Sequence, residues 1–151
     1  MKVAIHESNL IENIDDPKED KQSLVAWNWL KKQPRINHYE VIHLHELITK
    51  NQGVPGGFRN QEVRVGNYYP PVCYQVPYLM DNWLMDLWES IDPMDMHIKF
   101  ERIHPFLDGN GRTGRMLMWW HEAKLGISPT IFKASEKQEY YIKLAHKEEG
   151  E

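Results

Sequence analysis

Apolar residues recur every three or four positions along most of this chain, which is the spacing of one face of an α-helix. The first clear helix start is Asp16-Pro17-Lys18-Glu19. Its cap residue, its proline at the first helical position and its acid at the third are typical of the start of a helix. This helix must end before Pro34. The side chains that we expect to face the core are Leu24, Val25, Trp27 and Leu30.

The same spacing predicts further helices downstream. One opens at Asn37, and its apolar positions are Val41, Ile42, Leu44, Leu47 and Ile48. A strongly amphipathic helix follows, with apolar positions at Leu79, Met80, Trp83, Leu84, Leu87, Trp88 and Ile91. The last three are expected at about 93–104, at 111–125 with Gly126 as the C-terminal cap, and from a capping box at 135 onward.

Residues 51–77 contain too many glycines and prolines for a helix. Within them, Glu62-Val63-Arg64-Val65 alternates polar and apolar residues, and Gly66-Asn67 separates it from Tyr68-Tyr69. This pattern predicts a short, partly exposed β-hairpin that lies against the helices. We therefore expect a mainly α fold, a compact helical bundle with one inserted hairpin.

Composition narrows the class of protein. The chain has 151 residues, a net charge of −4 and a single cysteine. This length fits one domain, the acidic balance gives no reason to expect a nucleic-acid partner, and nothing calls for an oxidising compartment. No apolar run is long enough to span a bilayer, and the N-terminus becomes polar too early for a signal peptide. We expect a soluble, cytoplasmic protein without a membrane partner.

The candidate chemistry is concentrated in residues 104–115, which read His-Pro-Phe-Leu-Asp-Gly-Asn-Gly-Arg-Thr-Gly-Arg. Glycine and asparagine tolerate left-handed backbone, so residues 109–111 can aim successive N–H groups at one anion, and the helix that follows adds its positive end. Arg112 and Arg115 are three apart and share a helix face. Asp108 is placed to hold Mg²⁺ against phosphate oxygens, and His104 is the ordinary general base. These groups suit phosphoryl or nucleotidyl transfer.

This stretch resembles the signature of the Fic family, His-x-Phe-x-(Asp/Glu)-Gly-Asn-Gly-Arg-x-x-Arg, at every defined position, and the resemblance extends over nearly the whole chain. Gly57-Phe58-Arg59 with Val63 and Val65 is similar to the segment leading into the family's target-binding flap. The resemblance implies a compact helical core with a β-hairpin flap. It also implies transfer of AMP from ATP to a hydroxyl of a target protein, with release of pyrophosphate.

The resemblance also implies a role for each motif residue. His104 would deprotonate the Ser, Thr or Tyr hydroxyl of the target, and Asp108 would coordinate Mg²⁺ between the α- and β-phosphates. Gly109, Asn110 and Gly111 would cradle the phosphates, with Asn110 near the α-phosphate. Arg112 would hold the β-phosphate and Arg115 the γ-phosphate. The flap residues, which would pair with the target as a strand does, are Val63, Arg64, Val65 and Gly66.

Ser8-Asn9-Leu10-Ile11-Glu12-Asn13 resembles the inhibitory motif (Ser/Thr)-x-x-x-Glu-(Gly/Asn) of the Fic subclass with an N-terminal inhibitory helix. From the residues alone, Ser8 would cap a helical turn and Glu12 would be a solvated acid. The resemblance instead implies that Glu12 pairs with Arg115 and occupies the place of the γ-phosphate. ATP would then bind only in a pose unsuited to transfer.

The resulting prediction is a single Fic domain over 1–151, with an inhibitory segment at about 5–15 and a flap at about 57–77. One departure concerns the nucleobase: many relatives have an asparagine where this chain has Trp119, and Tyr140 and Tyr141 are the candidate pocket residues. His45 is expected to be a partly exposed helix residue. Alternatives are removal of AMP from a modified target, transfer of another nucleotide, and a nucleotide-binding interaction module without catalysis. A homo-oligomer is possible.

Overall fold

The computed structural model describes the backbone of residues 1–149 and the side chains of residues 1–145. Most of this part of the chain is helical. Its α-helices are α1 (Lys2–Ile11), α2 (Pro17–Leu30), α3 (His38–Thr49), α4 (Val76–Glu89), α5 (Pro93–Ile103), α6 (Asn110–Lys124) and α7 (Lys137–Glu149). The last two residues of the expected domain, 150 and 151, lie outside the described residues.

Two predicted helix starts, at Asp16 and Asn37, are confirmed by their capping contacts, whereas Ser135 lies in a short 3₁₀ helix (Ala134–Glu136) and α7 begins after it, at Lys137. The Asp16 carboxylate accepts from Lys18 N at 2.9 Å, so it satisfies one of the free amides at the start of α2. At α3, Asn37 and Glu40 form a reciprocal capping box. The N-terminal segment differs from the expectation of a single turn capped by Ser8, because α1 begins at Lys2 and Ser8 lies buried inside it.

Helix α6 is the centre of the molecule, and most of its length is buried. It packs against α1, α3 and α5, while α2 joins α1 to α3 and α4 packs against α5. Trp119 on α6 is 1 % exposed and meets Trp27 of α2 edge to face, with ring centroids 6.3 Å apart. The tandem tryptophans are therefore core residues, and they hold α6 in place relative to α2.

Three side chains expected to point inward are exposed. Val25 is 52 % exposed because it lies on the outer side of α2, away from the side chains that face α1 and α3. Trp88 is 62 % exposed and lies beneath the Arg35 guanidinium, 4.7 Å from its ring centroid. Ile91 is 82 % exposed because α4 ends at Glu89, before the helical spacing can carry Ile91 inward.

The predicted hairpin is shorter than expected. Val65 and Tyr68 form one antiparallel bridge around the Gly66-Asn67 turn, with N···O distances of 2.9 and 2.8 Å, and it is the only bridge among the described residues. Pro70 and Pro71 follow directly and have no N–H to donate, so the returning arm cannot extend the ladder. The turn was predicted correctly, but the ribbon around it is irregular.

Within the described residues, no helix combines the length and the apolar character needed to cross a bilayer.

Candidate active site

The loop between α5 and α6 begins at His104, which ends α5 in a left-handed backbone conformation with φ of 51° and ψ of 62°. This conformation is strained for a residue other than glycine and persists only where surrounding contacts hold it. The His104 amide donates to Phe100 O at 3.1 Å, and its carbonyl oxygen accepts from Arg59 Nε at 2.6 Å. The chain is thereby turned out of α5 with the imidazole at the entrance of the loop.

Asn110 fixes the shape of this loop from the inside. Its side-chain oxygen accepts from Phe106 N at 2.9 Å, and its side-chain nitrogen donates to Phe106 O at 2.8 Å. The Asn110 side chain is therefore committed to the loop backbone. What Asn110 offers to the exterior of the loop is its own backbone N–H.

His45 of α3 supports the loop from below, and its predicted partial exposure is wrong. It is fully buried, and its ring stacks on Phe106 with centroids 3.9 Å apart. Its Nε2 donates to Asp108 O at 2.8 Å. Burial lowers the pKa of the His45 imidazole, so the ring is neutral and has one N–H to give.

The start of α6 forms a concave anion site. Gly109 stands before the first turn with φ of 84° and ψ of 11°, and a Cβ there would lie 2.9 Å from Thr49 Cγ2. The first amides of a helix have no acceptor within the helix, and its dipole adds positive potential. Gly111 is not left-handed: a Cβ there would lie 2.8 Å from Glu12 Oε2 and 2.9 Å from Arg115 Nη1. Its lack of a side chain keeps the site open.

The two motif arginines flank this anion site, and both are buried. Arg112 donates from Nη1 to Gln52 Oε1 at 2.9 Å, while its buried Nε has no partner within the described part of the chain. Arg115 is 1 % exposed, and its guanidinium donates two hydrogen bonds to Ser8. Nε donates to Ser8 Oγ at 2.7 Å, and Nη2 donates to Ser8 O at 3.0 Å. Unpartnered donors next to free helix amides suit a polyanion.

Glu12 closes the site from the end of α1. Its Oε2 lies 3.5 Å from Arg115 Nη2 and within reach of the first turn of α6, as the position of Gly111 shows. The predicted pairing of Glu12 with Arg115 is thus present in the geometry, and the contacts of Ser8 with the same guanidinium are an addition that the sequence did not indicate. A carboxylate here lies where an anion would meet the helix N-terminus.

An open cleft of about 550 Å³ leads to this site. Glu12, Asp15, Asp16, Glu19 and Asp108 bring carboxylates to its wall, and Arg112 brings the positive charge. Asp108 is exposed and uses one oxygen, Oδ1, to accept from Gly109 N at 2.7 Å. No group of three or more metal-binding side chains is present among the described residues. A metal here would need most of its ligands from a substrate and from water.

Burial perturbs the titratable groups near the site. It lowers the pKa of His104 to about 4, and the neighbouring Arg59 charge adds to this effect. It raises the pKa of Glu101 to about 7 and lowers the pKa of His97 to about 3. His104 is therefore neutral near pH 7 and able to accept a proton.

The candidate flap residues and one of the two candidate nucleobase residues, Tyr141, lie at the surface, whereas the other, Tyr140, contacts Arg115. Val65 and Gly66 are exposed at the turn, while Tyr141 is 41 % exposed on α7. Tyr140 is buried: its hydroxyl lies 2.7 Å from His97 Nε2 and accepts from Arg115 Nη1 at 3.1 Å. Tyr140 therefore holds Arg115 on the side opposite Ser8. The sequence did not reveal this pairing, because Tyr140 and His97 are far apart along the chain.

A model of the Fic/DOC family matches residues 35–121, which is more than half of the chain. The chain belongs to the Fic/DOC family. The match ends within α6, at residue 121, so the segment with Ser8 and Glu12 and the whole of α7 lie outside this Fic family match.

Curated Fic relatives cover more of the chain. Protein adenylyltransferase Fic from Drosophila willistoni is 33 % identical over 129 residues, which are 78 % of this chain and 26 % of the relative. The Drosophila mojavensis protein of the same name is 34 % identical over 119 residues, 71 % of this chain and 24 % of the relative. The chain thus spans about a quarter of the length of these relatives.

Solved Fic structures share the fold. Fic-1 (aa134–508) from C. elegans superposes with a TM-score of 0.83 at 21 % identity, over 99 % of this chain and 56 % of that one. A Fic family protein from Desulfovibrio desulfuricans G20 gives 0.80 at 21 % identity, over 99 % of this chain and 58 % of that one. These matches include α1 and α7, so the likeness of fold extends beyond the residues of the family match.

Proposed function

We propose that this chain transfers AMP from ATP to a hydroxyl side chain of a target protein. The observation that carries the proposal is the single loop that has a neutral histidine at one end and, at the other, free helix amides beside two buried arginines. A base and a polyanion site joined by twelve residues, 104–115, suit nucleotidyl transfer. The curated relatives that carry the name protein adenylyltransferase support the same reaction.

The phosphates of ATP would lie at the N-terminus of α6. The backbone N–H groups of residues 109–111 would donate to them, with Asn110 nearest the α-phosphate. Arg112 would hold the β-phosphate, for which its unpartnered buried Nε is a suitable donor. Arg115 would hold the γ-phosphate once Glu12 moves away, because the two anions compete for the same guanidinium.

The residues present fit Mg²⁺. Asp108 is an exposed carboxylate on the cleft, one of its oxygens is left free by Gly109, and magnesium is commonly held by one or two carboxylates together with phosphates and water. When bound, the ion would neutralise charge on the α- and β-phosphates during transfer. Asp108 would orient it toward the start of α6.

The chemical step follows from the position of His104. The imidazole would take the proton of the target Ser, Thr or Tyr hydroxyl as its oxygen bonds to the α-phosphorus. The bond from that phosphorus to the oxygen bridging the β-phosphate would break, and pyrophosphate would leave. The helix amides and Arg112 would stabilise the charge that gathers on the phosphates. The flap residues Val63 to Gly66 would present the target as an added strand.

We infer further that the transfer is autoinhibited. Glu12 lies 3.5 Å from Arg115 and against Gly111, and Ser8 anchors the same guanidinium through two contacts. ATP would enter this state only with its γ-phosphate displaced from Arg115, so that the α-phosphate is misaligned for in-line attack. Glu12 is the inhibitory glutamate of this proposal.

The transfer is tested by labelling. The Glu12→Gly variant would be incubated with Mg²⁺ and ATP labelled at the α-phosphate or at the γ-phosphate, alone and in a cell lysate. We expect protein-bound label from the α-phosphate only, and none from the variant that also carries His104→Ala. Label from the γ-phosphate would indicate a kinase. Tight ATP binding without any transfer would indicate the interaction module.

Autoinhibition is tested by comparing charge variants of Glu12, which directly follows α1, and of Glu7, which lies within α1. Glu12→Gln keeps the shape of the side chain and removes its charge, so it should raise label transfer at least about tenfold over the wild type. Glu7→Gln, within α1, is the matched control and should leave label transfer at the wild-type level. Equal transfer by all three proteins would contradict autoinhibition.

The place of Glu12 on the cleft favours a second candidate function, removal of AMP from a modified target. A carboxylate beside Asp108 and Arg112 is positioned to orient a water toward the α-phosphorus. In that case, wild-type protein would release AMP from a target labelled by Glu12→Gly, and Glu12→Gln would not.

The nucleobase pocket, the domain bounds and the oligomeric state are further parts of this proposal. Tyr141 is the more accessible of the two tyrosines for a nucleobase, since Tyr140 is buried against Arg115. A single Fic domain over 1–151, with the segments at about 5–15 and 57–77 as inhibitory element and flap, accommodates all the proposed roles. A homo-oligomer would be detected by light scattering at several protein concentrations.

A further inference from the structure

Arg59 is a buried arginine that neither the loop motif nor its roles account for. Its side chain is 4 % exposed, although it lies in the irregular segment before the flap turn. Burial lowers the pKa of its guanidinium. An arginine placed in this way needs several acceptors, and their identity shows what it holds together.

The acceptors of Arg59 are backbone carbonyl oxygens from two separate parts of the chain. Where α5 ends and the 104–115 loop begins, Nε donates to His104 O at 2.6 Å and Nη2 to Ile103 O at 3.3 Å. In the flap segment, Nη1 donates to Gln61 O at 3.2 Å and Nη2 to Pro71 O at 2.5 Å. One guanidinium therefore binds four carbonyl groups.

The contacts on the loop side hold a strained residue. His104 has left-handed backbone, and its carbonyl oxygen faces the guanidinium in that conformation. The Arg59 backbone adds a second tie, since its N–H donates to Pro105 O at 2.8 Å. Side chain and main chain of one residue thus fix the peptide groups on both sides of the His104–Pro105 bond.

The contacts on the flap side hold the two arms of the turn. Gln61 precedes the Val65–Tyr68 bridge and Pro71 follows it, so Arg59 closes the base of this turn. A further contact attaches the turn to α5, because the Tyr68 hydroxyl donates to Arg102 O at 2.8 Å. The flap is too short to be held by its own ladder, and Arg59 supplies the missing connection.

The charge of Arg59 also reaches the imidazole. Burial is the larger cause of the lowered His104 pKa and the Arg59 charge is the second, while the backbone of Glu101 and the carboxylate of Asp108 act in the opposite direction. Loss of the guanidinium would therefore move the His104 pKa upward, toward its ordinary value of 6.5.

We propose that Arg59 is the positioning residue that fixes the general base and the target-binding flap relative to each other. This inference rests on the proposed transfer reaction. A target hydroxyl presented by the flap would meet the imidazole at a distance set by this one side chain. Arg59 lies away from the anion site, so its loss should impair the chemical step and leave ATP binding intact.

The test uses three variants of the Glu12→Gly protein: Arg59→Met, Arg59→Lys and the control Arg35→Met. Arg59→Met removes the charge and all four side-chain hydrogen bonds, and Arg59→Lys keeps the charge on a group that cannot span both segments. Arg35 is exposed and contacts Trp88, far from the loop in the sequence. Thermal melts would establish that each variant is folded.

The first readout is the His104 pKa, followed by NMR of the imidazole in the absence of any substrate. We expect an upward shift in Arg59→Met, a smaller one in Arg59→Lys and none in Arg35→Met. This readout does not depend on the reaction. An unchanged His104 pKa in folded Arg59→Met overturns the proposal, whether or not the protein transfers AMP.

The second readout separates binding from transfer. With ATP labelled at the α-phosphate, both Arg59 variants should lose at least about tenfold in transfer rate, because small misplacements of reacting groups are costly. Their affinity for ATP, measured by calorimetry, should stay within about twofold of the control. Equal loss of ATP affinity would overturn the proposal. If Glu12→Gly transfers no label at all, the proposed function fails, and the His104 pKa alone decides the role of Arg59.

Discussion

At the scale of single residues, the site depends on buried polar side chains that bind one another, and Arg115 is the clearest case. Arg115 is enclosed by Ser8, Glu12 and Tyr140, and the Tyr140 hydroxyl reaches on to His97. Burial lowers the pKa of His97 to about 3, so its ring is neutral and shares a hydrogen bond of 2.7 Å with the Tyr140 hydroxyl. A buried group that loses its partner bears the full desolvation cost.

Tyr140→Phe should therefore destabilise the protein by about 1–3 kcal/mol, because Arg115 and His97 each lose a hydrogen-bond partner. Urea denaturation at pH 7 measures the free energy of unfolding. Tyr141→Phe is the matched control, since Tyr141 is 41 % exposed, and it should change stability by less than about 0.5 kcal/mol. Equal effects of the two changes would contradict the role of the Tyr140 hydroxyl.

The pH dependence of transfer should reflect the buried state of His104. Because burial lowers the pKa of His104 from 6.5 to about 4, the imidazole stays neutral at pH values well below 6.5. The acid limb of kcat/KM, which reports the free enzyme, should therefore be centred near 4. The measurement uses Glu12→Gly, with tryptophan fluorescence to verify the fold at each pH. An acid limb centred near 6.5 would mean that His104 is exposed in the active state.

The sequence indicated the residues of the 104–115 loop directly and Glu12 through the family resemblance, but it missed other residues that reach the site from distant parts of the chain. Residues 104–115 are close in space because they are adjacent in sequence, so their chemistry was readable directly. Arg59, His45 and His97 meet the site only through tertiary contacts with residues more than forty positions away. Their spacing along the chain carries no signal of this, since a lone buried polar residue resembles a surface one.

At the scale of secondary-structure elements, the proposed autoinhibition depends on the docking of α1 on α6, which holds Glu12 at the anion site. Ala4, Ile5 and Ile11 are buried, and Ile11 packs with Met118 and Phe132 directly before Glu12. The sequence indicated only a turn here, because α1 has a weak start signal and no side-chain cap at Met1. Tertiary packing makes this helix longer than its local pattern suggests.

Ile11→Ala should weaken the docking of α1 and so raise transfer activity. Ile11 is 1 % exposed, and truncating such a side chain costs about 2–5 kcal/mol. Hydrogen exchange of the α1 amides should accelerate, and label transfer from ATP should rise relative to the wild type. Val3→Ala, on the same helix but 63 % exposed, should leave both unchanged. Faster hydrogen exchange of the α1 amides without any gain in label transfer would show that the docking of α1 does not inhibit transfer.

At the scale of the whole molecule, the cleft that leads to the anion site is negative in a chain of net charge −4. The helix packing follows from the spacing of apolar residues, and this part of the fold was predicted well. The short flap was not, because it is held by Arg59 and Tyr68 rather than by a ladder. Irregular segments of this kind have no periodicity to read.

The negative cleft should make nucleotide binding depend on a divalent cation. Free ATP would be repelled by Asp15, Asp16 and Glu19, whereas its magnesium complex would be partly neutralised and would gain Asp108 as a ligand. Calorimetry of the Glu12→Gly variant should show at least about tenfold weaker ATP binding when EDTA replaces Mg²⁺. Asp108→Asn should reduce that difference. Equal affinity with and without the metal would exclude Asp108 as its ligand.

Once Glu12 is absent, the loop from His104 to Arg115 should bind a nucleoside triphosphate in a pose ready for transfer. A crystal structure of Glu12→Gly with Mg²⁺ and a non-hydrolysable ATP analogue would test this binding. We expect the phosphates on the first turn of α6, the terminal one on Arg115, and the His104 imidazole facing the α-phosphate. A nucleotide bound elsewhere, or His104 turned away from a filled site, would contradict it.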